Sequence, residues 1–291
     1  MFYHNISPVL VEIGPFSIRY YGLIFALGLF VSFLIIRYLA KKRQLPLSSR
    51  DFDELLILGA VAVVVGARLG HVISSFGYYS ANPGQIVAVW NGGMAFHGGF
   101  IGLVAAGYFF AKRKKISFYD LADVVVIPAA LALAFGRIAN FINGEFYGTP
   151  TGLPWGVKFG DIPEFRHPVQ IYEAIKNFVI FIILWQLHNL FVKNPNRAKA
   201  RLGPVATGEL GVDQKLPKGF VFWTFVFLYG SIRFILEFVK VVPDYVFGLT
   251  WGQFWSVPMT FVGGYMLWKL LKPFSKHEGL KASAAKAVVS K

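Results

Sequence analysis

Seven stretches of this chain stay apolar for about the length a helix needs to cross a hydrocarbon core roughly 30 Å thick. They are 18–40, 54–75, 95–111, 119–140, 169–191, 219–240 and 253–271. Composition agrees, with 55% hydrophobic and 15% charged residues and a mean hydropathy of +0.54; soluble domains carry about 25% charged residues. The 30 Phe, 13 Tyr and 7 Trp suit lipid-facing surfaces with aromatic anchors near the interfaces, and the 30 Gly suit close helix packing in a bilayer. The expected fold is all-α integral membrane: one polytopic domain over 1–291 with seven transmembrane helices and a small external cap at 141–168, between helices four and five. The third stretch is short. It either extends back into Asn91-Gly92-Gly93 or forms a short, glycine-broken span of the kind found at sites.

Connector charge sets the orientation. Lys41, Lys42, Arg43 and Arg50 follow the first span, and Lys112, Arg113, Lys114 and Lys115 follow the third. Lys193, Arg197, Lys199, Arg201, Lys215 and Lys218 follow the fifth, and a lysine-rich tail follows the seventh. The opposite connectors hold only Lys158, Arg166 and Lys240. The positive-inside rule then puts the N-terminus outside and the C-terminus in the cytoplasm. The net charge of +14 is therefore read as a topology determinant, with no nucleic-acid partner. No Lys or Arg precedes Arg19, so the basic start of a cleavable signal peptide is missing and the first span is expected to be retained. The segment 141–168 is punctuated by Gly and Pro and predicts a turn-rich cap, with a short strand near Trp155-Gly156-Val157-Lys158-Phe159. The connector 192–218 predicts a cytoplasmic loop, and the tail 275–291 a mobile or frayed helix.

With this orientation, polar side chains of all seven spans fall at one outer depth. Arg137 and Asn140 lie near the outer end of the fourth span. Tyr229, Arg233 and Glu237 make an i, i+4, i+8 stripe in the sixth. Arg68 and His71 lie in the outer part of the second. The first turns of the others carry Tyr20-Tyr21, His97, Gln170 with Tyr172 and Glu173, and Gln253. A charge at membrane depth costs about 2.5–3.5 kcal/mol on insertion scales, so such residues usually have work to do. Individual pairs, Arg233 with Glu237 or Arg137 with Glu145 or Glu173, are explicable as structural ion pairs. The whole constellation is not, and arginine's five fixed donors suit phosphate oxygens, so the set invites a phospholipid headgroup. Arg37 reads as a side chain reaching back to the cytoplasmic interface, and Asp123 as a partner of its helix N-terminus.

His97 lies in Gly92-Gly93-Met94-Ala95-Phe96-His97-Gly98-Gly99. Flanking glycines allow backbone or ligand to approach, and histidine accepts a proton near neutral pH. The six histidines have no metal-ligand spacing and cysteine is absent, so no metal site, disulfide or enzyme-borne thiol nucleophile is expected, and no cofactor.

These motifs, in order, resemble bacterial prolipoprotein diacylglyceryl transferases along nearly the whole chain. The resemblance rests on Tyr20-Tyr21-Gly22, Gly66-Ala67-Arg68, the segment 90–99 around His97, and Gly136-Arg137-Ile138-Ala139-Asn140 running on to Gly148. Arg166-His167-Pro168-Val169-Gln170-Ile171-Tyr172-Glu173, the segment 229–238 and Gly252-Gln253-Phe254-Trp255-Ser256-Val257-Pro258 add to it. It implies a seven-helix enzyme of the bacterial inner membrane. Such an enzyme transfers the diacylglyceryl group of phosphatidylglycerol to the lipobox cysteine in the signal peptide of a preprolipoprotein, giving a thioether and glycerol phosphate. The family's functional residues map onto Tyr21, His97, Arg137, Asn140, Gly148, Arg233 and Glu237. The catalytic set is then expected to be His97, Arg137, Arg233 and Tyr21, and the phosphatidylglycerol-binding set Arg137, Asn140, Arg233, Glu237, Gly148 and Arg68. One departure stands out: Lys240 occupies a position where the family pattern carries an arginine.

Two other classes compete. A transporter or flippase for an anionic lipid uses the same arginines but needs a polar path to the cytoplasmic side. A retinal-binding receptor needs a lysine midway along the seventh span, where this chain has only Lys269 at the inner end.

Overall fold

The computed structural model describes residues 1–14, 16–191, 217–242 and 245–289, so the expected loop 192–218 lies almost wholly outside the described residues. The protein is mainly helical and forms two compact units, 33–124 and 1–32 together with 125–291.

In the unit 33–124, helix α2 (Ser49–Ser74) begins at a capping box in which Ser48 and Asp51 exchange side chain-to-backbone bonds. It packs along α4 (Phe96–Arg113) through a seam of small residues. A Cβ on Gly66 would collide with the Gly98 carbonyl, and one on Gly70 would meet the Gly98 Cα at 2.9 Å. Gly102 faces the Ala62 carbonyl in the same way. Small residues every four positions let two helix backbones touch, which is the dominant packing device in lipid. The glycines after His97 are thus filled by α2, and α4 starts at Phe96 because Gly92 and Gly93 take φ of +80° and +76°; the helix does not reach back to Asn91. A short helix α3 (Phe76–Ala81) follows α2.

Charges gather at the other end of this seam. Arg113 pairs with Glu54 at 2.8 Å, and Lys114 with Asp51 and Glu54 at 2.5 and 2.7 Å. Those hydrogen bonds raise the Lys114 ammonium above the ordinary lysine range. Asp123 is buried and bonded to Arg43 at 3.0 Å. It lies beyond the first turn of α5 (Phe118–Ile142), where the acidic residue is Asp120, so an ion pair stabilises it. Arg37 donates to the Ser49 hydroxyl and lies against the rings of Phe33 and Phe52.

The other unit starts with strands unannounced by the hydropathy pattern. β1 (Phe2–His4) pairs in parallel with β4 (Val157–Phe159), and β2 (Val9–Ile13) forms a hairpin with β3 (Phe16–Arg19). The His4 ring contacts the Phe141 carbonyl at 2.6 Å, pinning β1 to the end of α5. Helix α1 (Tyr20–Lys42) follows β3 directly. The segment 141–168 is turn-rich, as its glycines and prolines predict, and carries β4. Helices α6 (Val169–Phe191) and α7 (Phe220–Leu236) pack together, and α7 lies on α8 (Trp251–Val289), where Gly230 meets Met259 and Gly263 meets Phe227. The strands β5 (Tyr245–Val246) and β6 (Leu249–Thr250) close a two-residue hairpin on Phe247 and Gly248, both at positive φ. Thr250 and Gln253 then form a capping box that starts α8. That box accounts for Gln253, which the sequence grouped with the site. The tail is helical to Val289.

Among the described residues five helices are long and apolar enough to cross a membrane, where seven spans were expected: Tyr20–Lys42, Ser49–Ser74, Phe118–Ile142, Val169–Asn189 and Phe220–Val239. The shortfall has a compositional cause at α4, whose first turn holds His97 and two glycines and which closes on Lys112 and Arg113.

Candidate active site

The centre of the second unit is a buried carboxylate. Glu173, in the second turn of α6, is 0% exposed. Lys176, one turn later and itself buried, donates to its Oε2 at 2.5 Å. The Lys240 ammonium lies 2.6 Å from Oε1, a close ion pair whose angle falls outside hydrogen-bond geometry, and donates to Glu237 Oε2 at 2.9 Å. Arg137 of α5 approaches Glu173 only to 4.0 Å. The Lys176 ammonium sits 4.1 Å from the Tyr229 ring centroid, and the Tyr229 hydroxyl accepts from Arg233 Nη1 at 3.2 Å. One continuous chain of contacts therefore runs from Arg137 through Glu173, Lys176 and Tyr229 to Arg233, with a branch through Lys240 to Glu237.

The expected pairing of Arg233 with Glu237 does not form. α7 ends at Leu236 and the chain tightens into a 3₁₀ turn over Glu237–Val239. The i+4 stripe breaks there, and Lys240, three residues on, takes the carboxylate. Glu237 is also pressed against the start of α8: a Cβ on Gly252 would come within 2.5 Å of its carboxylate.

Asn140, 8% exposed, donates to Glu145 Oε1 at 2.7 Å, and Gln170 donates to the Glu145 carbonyl at 2.6 Å. Glu145 is thereby spent on Asn140 and Asn143, not on Arg137. Tyr172 is occupied by Trp155 and His167. Gly148 has no room for a side chain. Its Cβ would lie 2.5 Å from the Val239 carbonyl and 2.8 Å from the His167 Cβ, and it forms an antiparallel bridge with Lys240. Gly148 thus holds the extended backbone at Lys240 in place. Tyr21, in the first turn of α1, is 41% exposed.

Arg68 and His97 belong to the other unit. Arg68 is 5% exposed, and its guanidinium is consumed by backbone carbonyls: Ile86 at 2.8 Å, Gly93 at 3.0 Å, Ala88 at 3.1 Å, and those of Gln85 and Gly92. The Tyr79 ring covers it, and His71 packs edge-on to the same ring. Arg68 therefore organises the loop 85–93 that leads to α4. His97 is the second residue of α4 and exposed.

Sequence reasoning passed over Lys176. The signal was its i, i+3 spacing from Glu173 in an otherwise apolar helix. No cluster of metal ligands occurs among the described residues.

A helical protein with several spans of membrane length, and buried cations gathered around two carboxylates, is the class defined so far. The profile of the family described as prolipoprotein diacylglyceryl transferase matches residues 8–269. A phosphatidylglycerol–prolipoprotein diacylglyceryl transferase of Geobacter sulfurreducens is 38% identical over 273 residues, 90% of this chain and 95% of its own. Proteins of the same name from Cupriavidus metallidurans (39% over 277 residues, 90% and 92%) and Desulfotalea psychrophila (36% over 268 residues, 89% and 91%) match similarly. The chain belongs to the prolipoprotein diacylglyceryl transferase family.

Proposed function

We propose that this protein transfers the diacylglyceryl group of phosphatidylglycerol to the lipobox cysteine of a preprolipoprotein, the first step of lipoprotein maturation. The names of the relatives supply the substrates. The observation that carries the chemistry is that Arg137 has no hydrogen bond among the described residues and Arg233 donates only to the Tyr229 hydroxyl. Two guanidinium groups with open donors on one buried cluster suit a phosphodiester.

In the reaction, the substrate thiol loses its proton to His97, directly or through Tyr21. The sulfur attacks the glycerol carbon that bears the phosphate. The C–S bond forms as the C–O bond breaks, and the electron pair leaves on the phosphate oxygen. Arg137 and Arg233 stabilise that developing charge. Asn140, whose amide nitrogen is held by Glu145, offers its oxygen to a headgroup hydroxyl. Glu237 acts through Lys240. Gly148 holds the Lys240 backbone in place, and Arg68 orders the loop before His97.

The membrane reading completes the expected seven spans with α4 and the first part of α8. It places the protein in the bacterial inner membrane with an outside N-terminus, an outer site under the cap 141–168, and a cytoplasmic C-terminus. Incubation of the purified protein with phosphatidylglycerol and a lipobox peptide tests the activity. A diacylglyceryl mass gain is expected on the cysteine peptide and none on its serine counterpart; no cysteine-dependent gain sinks the transferase reading. In the same assay His97→Gln loses activity, and unchanged turnover in that variant removes the base role.

A further inference from the structure

Resting on that reading, we propose that Lys176 and Lys240 are positioning residues which keep Arg137 and Arg233 free for an anionic headgroup by engaging both buried carboxylates of the cluster. A carboxylate in a low-dielectric site captures a nearby guanidinium in a short, bidentate pair. Glu173 has not done so. Arg137 stands 4.0 Å away because Lys176 holds Oε2 at 2.5 Å and Lys240 sits at 2.6 Å from Oε1. Lys240 also takes Glu237 Oε2 at 2.9 Å, which leaves Arg233 to the hydroxyl of Tyr229 rather than a carboxylate. Lys176 supports that second arrangement too, since its ammonium lies on the face of the Tyr229 ring.

Lysine suits this work better than arginine. A compact ammonium fits between two carboxylates from different segments, as Lys240 does between Glu173 and Glu237, whereas a planar fork binds one carboxylate side-on. The arginine-to-lysine departure at 240 thus has a place in the structure alongside the buried lysine at 176. The charges agree with the chemistry. Arg137, Arg233, Lys176 and Lys240 exceed Glu173 and Glu237 by two positive charges. A phosphodiester brings one negative charge, and the leaving phosphate monoester carries a second once the thiolate has attacked.

The experiment uses the full-length protein in lipid nanodiscs, comparing wild type, Lys176→Met and the double variant Glu173→Gln/Lys176→Met. Turnover is measured with the lipobox peptide, and lipid binding by thermal stabilisation on titrating phosphatidylglycerol against phosphatidylcholine. In Lys176→Met the freed Glu173 oxygen captures Arg137. The KM for phosphatidylglycerol is expected to rise about tenfold or more, with a smaller fall in kcat, as for loss of one partner of a buried charge pair. Removing the carboxylate as well releases Arg137, and the double variant returns to within about threefold of wild-type KM. A double variant that folds but binds and turns over no better than Lys176→Met overturns the inference, as does a single variant equal to wild type. If Lys176→Met does not fold, a folded and active double variant supports it and a folded, inactive one refutes it. A wild type that shows no cysteine-dependent turnover refutes the transferase reading alone, because selective binding of the anionic lipid and its loss and return across the variants still decide the role of the lysines.

Discussion

Arg68 and Arg137 both sit in the last third of a long apolar helix, and they are used in opposite ways. Arg68 gives every nitrogen of its guanidinium to backbone carbonyls of the loop 85–93 and is 5% exposed. Arg137 meets one carboxylate at 4.0 Å and keeps a quarter of its side chain accessible. The residue type is the same; the partners decide the role. Carbonyls in a loop make arginine a structural clamp, because one side chain ties five of them together. A carboxylate already paired with two lysines leaves the arginine beside it available.

The largest expected effect separates those two roles. If Arg137 stabilises the leaving phosphate as proposed, Arg137→Ala is expected to lower kcat by about 10²–10³-fold, the usual loss for one donor at a developing oxyanion. Its thermal unfolding temperature should stay near wild type, since only a long ion pair is lost. Arg68→Ala should do the reverse first. It removes five hydrogen bonds from a charged donor that hold the loop 85–93, each worth about 1–3 kcal/mol at most, so the unfolding temperature falls and activity follows stability. Arg68→Lys should rescue little, because three mobile donors cannot replace five in a plane. Equal loss of stability in both alanine variants would break the comparison.

How far the site was legible follows the same division. Arg137, Asn140, Arg233 and Glu237 stand out in the sequence because charged and amide groups are costly in an apolar run, and their spacing puts them at one end of their helices. Arg68 stands out equally, yet its occupation by carbonyls depends on the path of residues 85–93, which no periodicity encodes. The Arg233–Glu237 pair was expected from i+4 spacing, which holds only while a helix continues; the 3₁₀ turn at Glu237 hands the carboxylate to Lys240. The N-terminal strands escaped notice because three to five residues are too few for a pattern. Most helices lie close to the apolar stretches, since continuous hydrophobicity acts locally, but α2 begins five residues before the expected 54 and α8 runs on to Val289 rather than ending near 271.

Glycine sharpens the contrast next. Gly98 sits where α2 and α4 touch, and the Cβ of Gly98→Ala would drive into the Gly66 carbonyl and within 2.9 Å of the Gly70 Cα. Overpacking of this kind typically costs about 1–3 kcal/mol. Gly136, beside Arg137, has nothing within 4 Å of an added Cβ. Gly136→Ala should therefore leave unfolding temperature and turnover at or above wild type, while Gly98→Ala lowers both. Comparable melting curves for the two would show that the α2–α4 seam is looser than these contacts require.

The smallest expected effect is the most specific to the lysine arrangement. Gly252 lies in the first turn of α8, where alanine is favoured over glycine by up to about 1 kcal/mol of helix propensity. Propensity alone predicts that Gly252→Ala stabilises the protein. The added Cβ, however, would press on the Glu237 carboxylate at 2.5 Å or closer. Glu237 must move, and Lys240, shared between Glu237 and Glu173, must move with it or release one of them. The expected outcome is an unfolding temperature close to wild type with a loss in kcat/KM of about tenfold or less, expressed mainly in KM for phosphatidylglycerol. Pairing the change with Glu237→Gln should make the two effects less than additive, since both act through one contact. Full additivity in that cycle would mean that Gly252 reaches the site by another route.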